Sequence, residues 1–410
     1  MNIDFHYYAT YYAAGLSGFK EGEAQKIAWA AQMVDELYPS YVAQCDLGED
    51  TIVTCQESLK ELIWDNIQYS DDFNSTISHG IRGIWAPFHF LPGHIDDGGI
   101  NEVINLNYRN AKGNVEKYTQ EEQDYIDICL ALRCRKGTNS PTAKKMIEYV
   151  KKQYEKLNDD EGLYCIGLSM HVLADTWAHD DFAGIPCYMV NSIFKRTVLE
   201  DDSNSYLRSE VTIGTSLNRF AINSAAYLGH GDAGHAPDYD FLKYRYFPRY
   251  RVPGNFITSF FKLNQRMEIN NPVRFQEAIR AMYNALCYIR NDVSTLNLSS
   301  MANGNKEIDD VKKSVFHKKP SENDASHDDV VVDRKNKWVD FLHRRKYGCP
   351  TDFSKEYGNI KLFARQAKSY RNYILSYINS EINAKRKNAI INFSIAEIDN
   401  FIKKILPKSK

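Results

Sequence analysis

The chain has 410 residues, 43% hydrophobic and 25% charged, with a formal net charge of −2. That length buries the core of one large domain or two ordinary ones, and the near-neutral balance excludes a surface that binds polyanions throughout, though local basic patches remain open. The opening MNIDFHYYAT has no basic or apolar leader region, no run of 18 apolar residues occurs, and the eight cysteines form no CxxC pair; the expected setting is the reducing cytoplasm, although a chain exported without a signal peptide would read the same.

Helical spacing dominates, so the expected class is all-α: a multi-helix bundle with long functional loops and a helical C-terminal extension. At the start, Asp4 and His6 flank Phe5, and in an extended segment both would point the same way. Residues 21–38 (EGEAQKIAWAAQMVDELY) form an amphipathic helix that stops before Pro39, with Asp35 centred on the inward stripe of Ala24, Ile27, Ala28 and Ala31. A short strand is expected at 51–54. The stretch 74–100, rich in Gly, Pro, His and aromatics, reads as a long ordered loop; His79 precedes its WAPFHFLPGHIDDGG, which offers His89, His94, Asp96 and Asp97. Further helices are expected at 120–134, 141–157, 161–182, 216–229 and 272–291. The helix 216–229 runs into YLGHGDAGHAPDYD, with His230, Asp232, His235 and Asp238. Residues 295–336 are polar and poor in large apolar side chains, as expected of a mobile insert; His317 and His327 within it read as solvated. Helical spacing returns at 361–383 and 394–406. The expected division is a helical hydrolase domain over 1–294, a flexible insert over 295–336 and a helical C-terminal segment over 337–410.

SMHVLADTWAHDDF places His171, Asp175 and His179 at successive four-residue steps. On a helix, i, i+4 and i+8 drift by only about 80°, so the three share one face. Tyr164 and Leu168 lie on that face too, which makes it partly buried, and a buried carboxylate beside two imidazoles needs hydrogen bonds, partners or a cation. Seven of the 11 histidines fall on this helix or in the segments around positions 6, 89, 94, 230 and 235. Imidazole and carboxylate without thiolate is a ligand mix that suits zinc, with iron and manganese behind it. The donors exceed what one ion needs, so two or three ions are expected; the other reading is a satisfied polar core.

HxxxDxxxH on a helix, with a His near the N-terminus, an Asp on the next helix and a later helix ending in His, resembles the zinc-dependent phospholipase C superfamily. That superfamily includes single-strand-specific nucleases, and the chain looks most like a bacterial branch of the fold. The match is one of motif order over residues 1–240. The resemblance implies an all-α fold with clustered zinc ions. It makes His6 an N-terminal ligand, Asp35 a ligand and base, His89 a loop ligand, His171 and Asp175 helix ligands with Asp175 bridging, His179 a ligand to another ion, and His230 a ligand from the last helix. The phospholipases also use a processed N-terminal amine; this chain begins Met1-Asn2, which leaves Asp4 to replace it or that ion to be missing. The carboxylate expected four residues after the last His is Gly234 here, which leaves His235 or Asp238 to serve.

Clustered divalent ions lower the pKa of bound water and neutralise a phosphoryl group in the transition state, so the expected reaction is phosphoester hydrolysis of the phosphodiesterase, phospholipase or nuclease type, with Asp35 and Asp175 as the catalytic carboxylates. FLKYRYFPRYR, residues 241–251, interleaves basic and aromatic side chains, and Lys243, Arg245, Tyr246 and Arg249 are the expected contacts to an anionic lipid head group or nucleotide; a Tyr-rich strand with a solvated basic edge is the alternative. Two other functions compete: the doublet His179-Asp180 resembles that of an all-α metal phosphohydrolase family named for it, and a metal-stabilised helical scaffold would bind a partner without catalysis.

Overall fold

The computed structural model describes residues 1–47, 51–55, 84–95, 107–109, 115–117, 130–157, 159–185, 188–191, 193–198, 229–248, 267–299, 306–316, 327–355 and 358–385. Residues 216–228 of the expected helix 216–229, the expected helix 394–406, and His79, Asp96, Asp97, Arg249 and His317 lie outside them. The described chain is mostly helical. A π-helical stretch Asp4–Ala9 runs into α1 (Thr10–Leu16), followed by α2 (Glu21–Glu36), α3 (Pro39–Gln44), α4 (Pro141–Tyr154), α5 (Asp159–Ala178), α6 (Tyr188–Asn191), α7 (Asn271–Ile289), α8 (Lys306–Val311), α9 (His327–Arg344) and α10 (Ile360–Lys385). Two small antiparallel sheets qualify the all-α expectation. One is the pair β1 (Asn107–Arg109) and β2 (Val115–Lys117); the other has β4 (Lys243–Pro248) between β3 (Ile193–Val198) and β5 (Met267–Asn270). None of the described helices is long and apolar enough to cross a membrane.

Local chemistry sets the helix ends. The Glu23 carboxylate accepts the Lys20 N–H (2.8 Å) and opens α2, and Tyr38, extended before Pro39, closes it. Ser140 accepts the Ala143 N–H (3.1 Å) with Pro141 at the first position of α4. The centre of the fold is the pair α2 and α5. Gly167 makes their approach close: a Cβ there would sit 2.7 Å from Ala30 Cβ and 3.0 Å from the Ile27 carbonyl carbon. Because α2 is rich in alanine at this contact (Ala24, Ala28, Ala30, Ala31, all buried), the two backbones can meet. One apolar cluster packs around them and runs from Met1 to Ile382. A smaller one, with Phe90, Phe182, Tyr239, Tyr244 and Tyr246, joins the three-stranded sheet to the loops after α5.

Three expectations are corrected here. Residues 51–55 form no strand; Thr54 instead folds back on the end of α2, its N–H on Leu37 O (2.9 Å) and its hydroxyl on Val34 O (2.8 Å). Residues 306–316, placed in a flexible insert, are helical and bury Ile308, Val311, Val315 and Phe316. The polar composition of that region misled because four apolar side chains on one face suffice to dock two turns of helix. Finally, α10 packs Phe363, Ala367, Tyr370, Ile374 and Ile378 into the main cluster, so residues 337–385 belong to the same core as the N-terminal helices.

Candidate metal centre

Helix α2 brings Asp35, α5 brings His171 and Asp175, and His179 follows at its end, its N–H still bonded to Asp175 O (2.8 Å). A helical turn at 84–88 leads into His89, the π-helical start carries His6, and two 3-10 turns, Gly231–Ala233 and Ala236–Asp238, flank the loop between His230 and Asp238. These segments converge on two neighbouring ligand sets. Around the first, Asp35 Oδ1 lies 3.7 Å from both His89 Nδ1 and His171 Nε2, and Asp175 Oδ2 lies 3.5 Å and 3.3 Å from the same two nitrogens. His6 Nε2 is 3.2 Å from Asp175 Oδ1, and its ring stacks on His171. In the second set Asp238 Oδ1 is 3.5 Å from His179 Nε2 and Asp238 Oδ2 is 3.5 Å from His230 Nε2. Asp175 links the sets, with Oδ2 also 3.6 Å from His179 Nδ1. Spacing of this kind groups His6–His171–Asp175, Asp35–His89–His171 and His179–His230–Asp238 as donor triads.

The outer contacts of the imidazoles decide what their inner faces can do. His171 Nδ1 bonds Ala31 O (2.9 Å), His89 Nε2 bonds Thr54 O (2.9 Å), His179 Nδ1 bonds His89 O (2.6 Å) and His230 Nδ1 bonds Gly234 O (2.9 Å). A carbonyl only accepts, so each of these nitrogens carries the ring proton, and in a neutral ring the other nitrogen is a bare lone pair. His171 Nε2 and His89 Nδ1 then face each other at 3.3 Å. Two lone pairs at that distance repel unless a proton or a cation lies between them. Two further buried polar atoms stand without hydrogen-bond partners at the same place, His6 Nδ1 and Asp175 Oδ2. Side chains held this way fit a cation, and they match the carbonyl-bonded histidines that surround bound metals.

Charge states agree. Burial opposes ionisation of Asp175, but His179, the Met1 ammonium, His171 and His6 hold its carboxyl well below the usual range; His230, the ammonium and His179 do the same for Asp238. Burial lowers His6 to about 4, assisted by His171 and the ammonium, and burial takes His230 to about 4 despite Asp238. His89 goes the other way: burial resists protonation, yet Asp175, the Cys55 thiol and Asp35 raise it well above the ordinary imidazole value. A proton on His89 is the substitute for a cation in the gap it shares with His171. Most of the centre is buried, and its two more open ligands are Asp35 and His230, with side chains 27% and 18% exposed.

Asp4 does not join the ligands, which corrects one expectation. In a helix residues i and i+2 point roughly 200° apart, so while His6 faces Asp175, Asp4 is buried beside Asp240. Asp240 is in turn bonded by Arg334 Nε (3.1 Å) and Nη2 (2.7 Å). Burial and the Asp240 carboxylate raise the Asp4 carboxyl, and a protonated carboxyl is a poor metal ligand. What occupies the expected place is the Met1 ammonium, 2.7 Å from Asp175 Oδ1 and 3.3 Å from Asp238 Oδ1. His235 is a second correction: it caps the turn that presents Asp238 and enters none of the donor triads among the described residues. Asp180, the other half of the His-Asp doublet, bonds Arg274 (3.0 Å) and the Lys136 N–H (3.1 Å) and also stays outside them.

The basic–aromatic stretch is strand β4. Tyr244 and Tyr246 are buried, and Tyr246 stacks on Phe182, which corrects its expected role as a substrate contact. Alternation along the strand puts half-buried Lys243 and Arg245 on the opposite face, away from the aromatic cluster in which Phe90 stacks on His179 (4.3 Å). The carbonyl oxygens of Ala31, Thr54, His89 and Gly234 were invisible to sequence reasoning, since every residue has one.

Fold and site together define a mostly helical protein with a buried centre of imidazoles and carboxylates. Residues 1–406 match the model of a family of unknown function (DUF6765), and the chain belongs to that family. Comparison with curated proteins and with solved structures returns no match.

Proposed function

We propose that the protein is a zinc-dependent phosphoester hydrolase with a phospholipase C-like helical fold. The observation that carries this reading is the pair of imidazole nitrogens facing each other at 3.3 Å beside an unpartnered Asp175 oxygen, each ring fixed by a backbone carbonyl. Asp35, His89, His171 and Asp175 would hold one ion, and His179, His230 and Asp238 would hold a second. No cysteine enters the donor triads among the described residues, and with the surplus of donors this favours an open, catalytic site over a closed structural one. The order of these residues along the chain is the order the phospholipase C resemblance implies.

Bound divalent ions supply an acidified water and charge neutralisation on the phosphoryl group. The chain's own residues do the rest. Asp35, the ligand most open to solvent, marks the side from which substrate arrives, and its carboxylate orients the attacking water and takes up its proton. Asp175, deeply buried and ionised, keeps the two ligand sets in register. Phe90, stacked on His179, and the aromatic cluster behind it exclude water from the inner wall. The substrate is an anionic phosphoester, a lipid head group or a nucleotide. Turnover of a chromogenic phosphodiester, lost on chelation, restored by zinc and abolished in His171→Ala and His179→Ala with helical circular dichroism retained, is the expected result. Undiminished turnover in both variants would refute the proposal, and a single inert ion would favour a metal-stabilised scaffold.

A further inference from the structure

Asp238 reaches the second ligand set from a 3-10 turn of only three residues, Ala236–Asp238, between glycine-rich chain and strand β4. The turn's own bond, Asp238 N–H to His235 O (3.0 Å), is a backbone one. The Ala236 and Pro237 carbonyls, and that of Tyr239 just after the turn, converge on one buried side chain, while Asp238 O accepts from Asn2 Nδ2 (3.4 Å). Asn271, the first residue of α7 and 0% exposed, directs Nδ2 at Ala236 O (2.8 Å), Pro237 O (3.5 Å) and Tyr239 O (2.8 Å), and its own N–H at Leu242 O (3.1 Å). The residue thus binds the chain on both sides of Asp238. Its Oδ1 has no hydrogen-bond partner. Burying that acceptor unmatched is unfavourable, so the position is occupied for what the amide N–H groups do. Helix α7 packs on α5, the helix that ends at His179, so the clamp ties Asp238 to the same rigid element that presents its imidazole neighbour.

We propose that Asn271 is the positioning residue of the second ion site, holding the Ala236–Asp238 turn so that Asp238 meets His179 and His230. The inference rests on the metal reading above. Outer residues of this kind change metal affinity by about 10- to 100-fold.

The test is zinc titration of the full chain after chelation, counting ions per chain and their dissociation constants for wild type, Asn271→Ala, Asp238→Ala and the double variant. Where Asn271→Ala fails to fold, Asn271→Ser, which keeps one donor, carries the same measurement. Each single variant is expected to weaken one ion by at least about tenfold and to leave the ion at Asp35, His89 and His171 in place. The double variant should bind no more weakly than Asp238→Ala, because Asn271 acts through Asp238. A lower melting temperature with wild-type zinc binding, or additive losses in the double variant, would overturn this inference alone. Wild-type protein that takes up fewer than two ions would overturn the metal reading and the inference with it.

Discussion

Replacing Gly167 by alanine adds one methyl group at a close approach between the two helices that carry Asp35, His171 and Asp175. The new Cβ would meet Ala30 Cβ at 2.7 Å and point into the Ile27 carbonyl, about 1 Å short of ordinary carbon–carbon contact. Both neighbours belong to the rigid part of α2, so α2 and α5 must part. Overpacking of this size costs about 1–3 kcal/mol, offset by about 0.5–1 kcal/mol from the better helix propensity of alanine, for a net loss of about 1–2 kcal/mol. The site should suffer more. His171 is oriented across this same interface by its bond to Ala31 O (2.9 Å), and a parting of about 1 Å breaks that bond. Asp35 moves with α2, while metal–ligand distances tolerate only about 0.2 Å. We expect a metal-free melting temperature a few degrees below wild type and zinc affinity at the first site reduced about 10- to 100-fold, measured by thermal unfolding and zinc titration. A raised melting temperature with unchanged zinc affinity would show that the helices absorb the methyl group without parting, and would refute the reasoning.

In the metal-free protein the three imidazoles His6, His230 and His89 together contribute most to stability near about pH 6.5. His6 and His230 have lowered folded pKa values, so the unfolded chain binds more protons between pH 6.5 and about 4, and stability falls on acidification through that window by at most about 3 kcal/mol each. His89 has a raised folded pKa, so its contribution is complete below about 6.5 and is lost as pH rises beyond it. Zinc, which replaces the His89 proton, should remove the alkaline fall; melting curves with and without chelator that share one flat pH dependence would contradict this. Asp35→Asn should keep the helical spectrum while zinc affinity at the first site falls at least about tenfold; unchanged affinity by titration would take Asp35 out of the centre. Tyr370→Phe removes the hydroxyl that α10 donates to Pro87 O (3.0 Å), two residues before His89. Leaving that buried carbonyl unpaired should cost about 1–3 kcal/mol, and an unaltered melting temperature would show that α10 does not brace the ligand loop.

How much of this could be read in the sequence depended on the period of each segment. The four-residue steps of His171, Asp175 and His179 placed three groups on one face because α5 is a regular helix through Ala178, and Asp35 stood out as the polar break in the alanine stripe of α2. The same logic failed for Asp4 and His6, where an extended period was assumed and the chain is π-helical. Between His235 and Asp238 the sequence offered no choice, since a 3-10 turn held from outside by Asn271 decides which side chain reaches in. Strand β4 was open to two readings because alternating Lys, Tyr and Arg suits a substrate groove and a half-buried sheet equally; the neighbouring aromatic cluster settles the tyrosines as core. Polar composition concealed α8 and the start of α9, whose docking needs only a few apolar side chains.

The central claim is that these imidazoles and carboxylates hold divalent ions at two places. Anomalous difference density at the zinc edge, from crystals of the full chain grown with zinc, tests it most directly. The account predicts one peak among Asp35, His89, His171 and Asp175 and a second among His179, His230 and Asp238. A zinc-saturated crystal with no peak within bonding distance of His89 Nδ1 and His171 Nε2 would contradict it.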